Sequence, residues 1–126
     1  MTKGRCFCGS VQFEVEGAPL WRAVCHCESC RRATSSPLTA FVGFPREAVK
    51  WSGGVPAEYQ HSERATRLFC PKCGSQLAYV SASRTDQIDL YTASLEDPDA
   101  FAPEKSAFEE EALAFTRHLS DLPEWK

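Results

Sequence analysis

Seven cysteines in three close-spaced groups constrain this chain more than any other feature of its sequence. The groups read Cys6-Phe7-Cys8-Gly9, Cys25-His26-Cys27-Glu28-Ser29-Cys30 and Cys70-Pro71-Lys72-Cys73-Gly74. Disulfide pairing would leave one thiol over, because seven is an odd number. Close-spaced cysteines in a reducing compartment are more often metal ligands than disulfide partners. The sequence therefore predicts that these residues bind metal ions.

The start of the chain fits such a compartment. Residues 1–5 lead straight into the first cysteine, without the apolar segment of a secretory signal. No stretch approaches the run of about 20 apolar residues that spans a bilayer. We therefore expect a cytoplasmic protein with no membrane partner. The formal net charge of -3 also gives no electrostatic reason to bind nucleic acid, so we expect no nucleic-acid partner.

The length and the hydrophobic pattern predict a single, mainly β domain. A chain of 126 residues is typical of one domain, which we place at 1–126. Alternating apolar and polar residues indicate short strands. These strands are predicted at 10–17, 20–24, 38–44, 49–51, 65–69, 76–80 and 87–92. Their spacing suits a small β-sandwich or open barrel with little helix. Segment 107–118 has acidic residues near its start and basic residues near its end, which fits a helix or an extended tail.

The most specific single motif is Cys70-x-x-Cys73-Gly74. A gap of two residues lets both thiolates reach one tetrahedral ion from a tight turn, and the following glycine relieves the backbone of that turn. Such a knuckle supplies two of four ligands. Another pair must complete the site, either Cys6 with Cys8 or two of the middle three cysteines.

The simplest partition of the seven cysteines is four plus three. The four-cysteine cluster would contain Cys6, Cys8, Cys70 and Cys73, and would close a structural zinc site. The three-cysteine cluster would contain Cys25, Cys27 and Cys30, and would leave a fourth position open, as catalytic zinc sites do. Three thiolates exceed the charge of a divalent ion by one, and this excess negative charge weakens the ion as a Lewis acid toward water. The site therefore favours a soft thiol as its next ligand.

Three neighbouring side chains are further candidates for the site. His26 is a fourth ligand, an acid or base, or a hydrogen-bonded neighbour of the ligands. Arg31 and Arg32 either clamp the carboxylates of a glutathione-like ligand by bidentate pairing or form a solvated basic patch.

Motifs along most of the chain resemble one known family. They are Cys6-x-Cys8-Gly9, Val24-Cys25-His26-Cys27-x-x-Cys30-Arg31, Gly43-Phe44-Pro45, Trp51-Ser52-Gly53-Gly54, Phe69-Cys70-x-x-Cys73-Gly74-Ser75-x-Leu77, Ser94-Leu95-Glu96-Asp97-Pro98 and Leu122-Pro123. This pattern is similar to that of the glutathione-dependent formaldehyde-activating (GFA) family, which also includes centromere protein V.

The resemblance implies a β-rich, Mss4-like zinc-binding fold with two zinc ions per chain. It also implies a carbon–sulfur lyase-type activity that joins glutathione to formaldehyde as S-(hydroxymethyl)glutathione. The family's structural zinc ligands correspond to the four-cysteine cluster, and its catalytic zinc ligands correspond to Cys25, Cys27 and Cys30.

Two hypotheses about function follow. In the first, the protein is an enzyme, a monomer or homodimer, whose partners are a small thiol and a small aldehyde. In the second, it is a non-enzymatic zinc module that binds another protein. An open second site that accepts a thiol would favour the enzyme, and a closed one would favour the module.

Overall fold

The computed structural model describes residues 1–125, which form two β-sheets and one short α-helix. The smaller sheet is antiparallel and has the order β1-β2-β5. Its strands are β1 (Thr2–Arg5), β2 (Val11–Val15) and β5 (Val49–Gly53). No helix within the described residues is long and apolar enough to cross a membrane.

The larger sheet has the order β10-β3-β4-β9-β8-β7-β6. Its strands are β3 (Trp21–Cys25), β4 (Thr39–Pro45), β6 (Ala57–Ser62), β7 (Ala65–Phe69), β8 (Gln76–Ser81), β9 (Gln87–Tyr91) and β10 (Lys105–Ala107). Neighbouring strands are antiparallel, except that β10 runs parallel to β3. The prediction of a mainly β protein with little helix is confirmed.

The hydrophobic core brings side chains of both sheets together. In β2, Val11, Phe13 and Val15 are buried while the residues between them are more exposed, so one face of the small sheet supplies the core. Phe44 of β4 and Leu90 of β9 belong to the same buried cluster. The period of two in β2 therefore places the apolar face of the small sheet against the buried residues of the larger sheet.

The α-helix was not predicted from the sequence. Helix α1 (Glu28–Thr34) follows β3 directly and carries part of the middle cysteine group. Its N-cap is Cys27, whose sulfur accepts a hydrogen bond from the backbone N–H of Cys30. Ser35 ends the helix in a left-handed conformation with φ of 51°. Two turns of helix are too short to give a hydrophobic period, and a cysteine is not a usual cap signal.

The segment 107–118 contains no α-helix and is closer to the extended alternative. Its first residue ends β10, and short 3₁₀ turns follow at Glu109–Glu111 and Ala114–Asp121. Phe108 separates the strand from these turns and has a left-handed φ of 58°. A bulky residue in that conformation interrupts any helix at its start.

Every predicted strand is present, and β1, β6 and β10 were missed. All three are edge strands. β6 is largely exposed and β10 has only three residues, so neither has an apolar alternation that would identify it.

Candidate metal centres

The four-cysteine cluster lies where two turns meet. Cys6 follows β1, and Cys70 follows β7. The ends of these two strands therefore place the Cys6/Cys8 pair beside the Cys70/Cys73 pair. The sulfur atoms of the four residues all lie within 4.8 Å of one another. The Sγ atoms of Cys6 and Cys8 are 3.6 Å apart, and those of Cys8 and Cys70 are 3.8 Å apart. A disulfide bond measures about 2.05 Å, so these are free thiols gathered as a ligand set.

Backbone N–H groups surround these sulfurs. The N–H of Val11 donates to the sulfur of Cys6 at 3.3 Å, and the N–H groups of Lys72 and Cys73 donate to the sulfur of Cys70 at 3.3 and 3.4 Å. Gly74 has a φ of 82°, which closes the second turn at little steric cost. N–H donors favour the thiolate form that a metal ion requires.

Two serines complete this environment, and the sequence analysis did not select them. Ser10 Oγ lies 3.2 Å from the sulfur of Cys8 and 3.3 Å from that of Cys70. Ser75 Oγ lies 3.2 Å from the sulfur of Cys73, and hydrogen bonds from Ser75 lower the pKa of Cys73 to about 5. In the sequence, each of these serines stands two residues after a cysteine and directly after a glycine, which is the pattern that could have identified them.

The three-cysteine cluster is built from the end of β3 and the start of α1. Cys25 is the last residue of the strand, Cys27 caps the helix, and Cys30 lies in its first turn. Their sulfurs also lie within 4.8 Å of one another. Among residues 1–125, no histidine nitrogen or carboxylate oxygen joins this group of ligand atoms. The cluster therefore offers three thiol ligands and no fourth.

The thiols of this cluster have unequal acidity. A hydrogen bond from Cys25, helped by Arg67 and opposed by burial, lowers the pKa of Cys30 to about 5. The same hydrogen bond raises the pKa of Cys25, and burial raises that of Cys27. Of the three thiols, Cys30 is therefore the one that ionises most readily. Three convergent sulfurs fit a soft or borderline divalent ion such as zinc.

A buried arginine contacts this cluster, and it was not predicted from the sequence. Arg67 of β7 is only 3% exposed, and its Nη2 atom lies 3.7 Å from the sulfur of Cys30. Nη2 also donates to Ser29 Oγ at 3.1 Å, and Nη1 donates to the Tyr91 hydroxyl at 2.7 Å. The guanidinium lies 5.0 Å from the ring centre of Tyr79. The sequence pattern that could have indicated its burial is the spacing of two residues from Ala65, which places both residues on the same face of the strand.

His26 does not join the sulfurs of the cluster. It is 8% exposed, its Nδ1 atom is buried without a hydrogen-bond partner, and its backbone N–H donates to the carbonyl of Ala107 at 3.0 Å. Of the possibilities raised from the sequence, ligation as a member of this group is not supported by the geometry.

Arg31 and Arg32 line a cavity of about 460 Å³ at the end of α1. Arg31 donates from Nε to the carbonyl of His26 at 3.2 Å, and Arg32 pairs with Glu28 at 2.8 Å. The other lining residues are Ser35, Ser36, Pro37, Leu113 and Phe115. No cysteine lines this cavity, so the carboxylate clamp remains a prediction.

A second cleft, of about 660 Å³, lies closer to the cluster. Ser29 and Ala33 of α1 form one wall, and Tyr59, Arg67 and Phe69 contribute to the opposite one. Ser29 and Arg67 both adjoin Cys30, since Ser29 precedes it in the chain and Arg67 contacts its sulfur. This cleft therefore adjoins the three-cysteine cluster, whereas the cavity beside Arg31 is lined by the far end of the helix.

A mainly β fold with one four-cysteine cluster and one three-cysteine cluster defines a class of small domains whose thiol groups could hold metal ions. The particular family is identified by a family model described as glutathione-dependent formaldehyde-activating enzyme, which matches residues 1–111. The chain belongs to this family.

Two known proteins show the extent of the similarity. The chain is 32% identical over 78 residues to a Schizosaccharomyces pombe protein named an uncharacterized lyase. That alignment covers 62% of this chain and 56% of the yeast protein, so the chain matches little more than half of its relative. A crystal structure of a Rhodobacter sphaeroides protein has the same fold, with a TM-score of 0.68, 24% identity and coverage of 83% of this chain and 99% of that one.

Proposed function

We propose that this protein is a zinc-dependent carbon–sulfur lyase-type enzyme that joins a small thiol to a small aldehyde. The observation that carries the proposal is the three-cysteine cluster, to which residues 1–125 add no fourth ligand. A position left open beside three sulfurs suits a sulfur-containing substrate better than an oxygen-containing one. Membership of the GFA family supports the same class of reaction.

The chain would hold its metal ions at two places with different roles. The four-cysteine cluster would bind a structural zinc, because four protein sulfurs fill a tetrahedral ion. The three-cysteine cluster would bind the second zinc. When bound there, zinc supplies positive charge that lowers the pKa of an incoming thiol.

The thiol substrate would carry an anionic group. Arg31 and Arg32 line the cavity at the end of α1 together with the hydroxyl-bearing residues Ser35 and Ser36. Two guanidinium groups can take up a carboxylate by paired hydrogen bonds. Glutathione carries such carboxylates, and this cavity is where we place them.

The reaction then needs few groups from the protein. The thiolate sulfur attacks the carbonyl carbon of the aldehyde and a carbon–sulfur bond forms. The π electrons of the carbonyl move to its oxygen, which takes a proton from water. The thiol has released one proton and the product oxygen has gained one, so the addition is balanced. In the reverse direction the same steps release the aldehyde, which is the lyase reaction.

The test is an exchange measurement, because thiols and aldehydes also react without a catalyst. Reduced, zinc-loaded protein is added to glutathione and formaldehyde at equilibrium, and NMR exchange rates between free and bound formaldehyde are recorded. We expect faster exchange with wild-type protein and with Ser83→Ala, a change in an exposed loop. Cys27→Ala should bring the rate back to that of buffer and remove one zinc per chain. A wild-type rate equal to that of buffer would overturn the proposal and favour the protein-interaction module.

A further inference from the structure

Arg67 carries a positive charge into the interior without a carboxylate partner. Its side chain is buried, and no ion pair joins it to an acidic residue within 1–125. The buried carboxylate of Asp89 is already paired with Arg84, through contacts of 3.3 and 3.1 Å. A buried charge is costly unless an opposite charge lies near it. The burial of Arg67 therefore needs an anion.

Among residues 1–125, the contacts of Arg67 include one group that can carry that negative charge. Its hydrogen-bond partners Ser29 and Tyr91 are hydroxyls, and burial raises the pKa of Tyr91 to about 12, so this phenol is neutral at ordinary pH. Tyr79 offers the face of a ring. The remaining contact is the sulfur of Cys30 at 3.7 Å. The anion that faces Arg67 is therefore the three-cysteine cluster.

We propose that Arg67 is the counter-charge of the three-cysteine cluster and a positioning residue for its fourth ligand. Three thiolates and a divalent ion carry a net charge of -1, and the guanidinium brings the assembly to zero. An incoming thiolate then meets a neutral site instead of a negative one. The inference rests on the proposed function in requiring a metal ion and a thiol at this cluster, but not on the identity of the aldehyde.

The position of Arg67 suits this role. Its contact with Cys30 comes from β7, whereas the three cysteines lie on β3 and α1. Arg67 cannot itself occupy the open ligand position, because a guanidinium has no free electron pair to donate. Its bonds to Ser29 and Tyr91 hold the plane of the guanidinium fixed. Charge and orientation are thus both set before a substrate binds.

Three substitutions separate charge from packing. Arg67→Lys keeps the charge, Arg67→Gln keeps a hydrogen-bond donor without the charge, and Arg67→Met keeps only the apolar stem. Arg46→Met is the control for the loss of an arginine elsewhere in the chain. Arg46 is exposed and follows the C-terminal end of β4, whereas Cys25 pairs with Thr39 at the N-terminal end of that strand. If the methionine variant does not fold, the comparison of lysine with glutamine still tests the proposal.

The experiment uses reduced protein loaded with cobalt(II) and the small neutral thiol 2-mercaptoethanol, without aldehyde. The difference spectrum on adding thiol reports the open site, while the cobalt bands of the four-cysteine cluster report folding. We expect the pH midpoint of thiol binding to rise by about 1 unit or more in Arg67→Gln and Arg67→Met. Arg67→Lys and Arg46→Met should stay near wild type.

The outcomes distinguish this inference from the proposed function. If wild-type protein shows no thiol-dependent spectrum at any pH, the thiol-binding site itself is refuted. If wild type binds thiol and the glutamine and lysine variants share its midpoint, the site stands and the counter-charge role is refuted. If lysine shifts the midpoint as far as glutamine does, charge is not the cause and the inference is likewise overturned.

Discussion

Losing one ligand of the four-cysteine cluster will cost more stability than losing one ligand of the three-cysteine cluster. Cys73→Ser and Cys27→Ser form a matched pair, because both residues are half-buried and each change removes one thiolate. Serine is a good helix N-cap, so Cys27→Ser also keeps the cap of α1. The difference in the free energy of unfolding between the two variants therefore reports the length of chain that each cysteine cluster closes into a loop.

The structure gives the size of this difference. The four-cysteine cluster joins Cys8 to Cys70, which are 62 residues apart, whereas the three-cysteine cluster closes only the short segment from Cys25 to Cys30. The entropy of closing a loop grows as three-halves of RT times the logarithm of its length. For these two loops the difference is about 2 kcal/mol. We expect the free energy of unfolding to fall by about that much more in Cys73→Ser than in Cys27→Ser.

Urea unfolding measures this difference. Tryptophan fluorescence follows the transition, since Trp51 packs edge-on against the core residue Phe13 at 5.3 Å. All proteins are kept reduced with the same excess of zinc, and equal denaturant slopes show that the same surface unfolds in each. A loss of stability in Cys27→Ser as large as that in Cys73→Ser would refute the argument, because the long-range connection would then contribute nothing.

Three further changes have definite expected outcomes. Gly43→Ala places a Cβ in overlap with the indole of Trp21, so overpacking should cost about 1–3 kcal/mol in thermal unfolding; an unchanged Tm would contradict this. Burial raises the pKa of Tyr91 to about 12, against about 10 in the unfolded chain, so the stability that its neutral hydroxyl provides is complete below pH 10 and lost as pH rises to 12. Over that range wild type should lose about 2 kcal/mol more than Tyr91→Phe, and parallel stability curves would exclude the effect. Arg31→Gln and Arg32→Gln should each raise KM for glutathione about tenfold and leave that for 2-mercaptoethanol unchanged; equal changes for both thiols would rule out the carboxylate clamp.

The sequence predicted strand β2 well because this strand buries one face. In β2 the alternation of buried and exposed residues follows the alternation of apolar and polar residues one for one. The grouping of the cysteines was also visible, because a gap of one or two residues places neighbouring thiols on one turn. The structure brings the sulfurs together in the same four and three. Their catalytic role remains a prediction.

What the sequence did not predict depends on contacts between distant segments. Helix α1 is held by a cysteine cap and by the carboxylate of Glu111, which accepts the N–H of Glu28 from 83 residues away. The cap lies directly before the helix, but cysteine is not a usual cap residue, and Glu111 is too far along the chain for a local pattern to indicate it. Arg67 looked like an ordinary strand residue, because its neighbours Cys30 and Tyr91 are 37 and 24 residues away.

Strand β7 connects the two metal centres through a very short piece of chain. Arg67 contacts the three-cysteine cluster, and Cys70, three residues later, belongs to the four-cysteine cluster. A zinc ion in the four-cysteine cluster would fix the turn between β7 and β8, and with it the end of the strand that carries the guanidinium. An ion bound there would thereby help to set the position of the charge that faces the three-cysteine cluster, although no atom is shared between the two clusters.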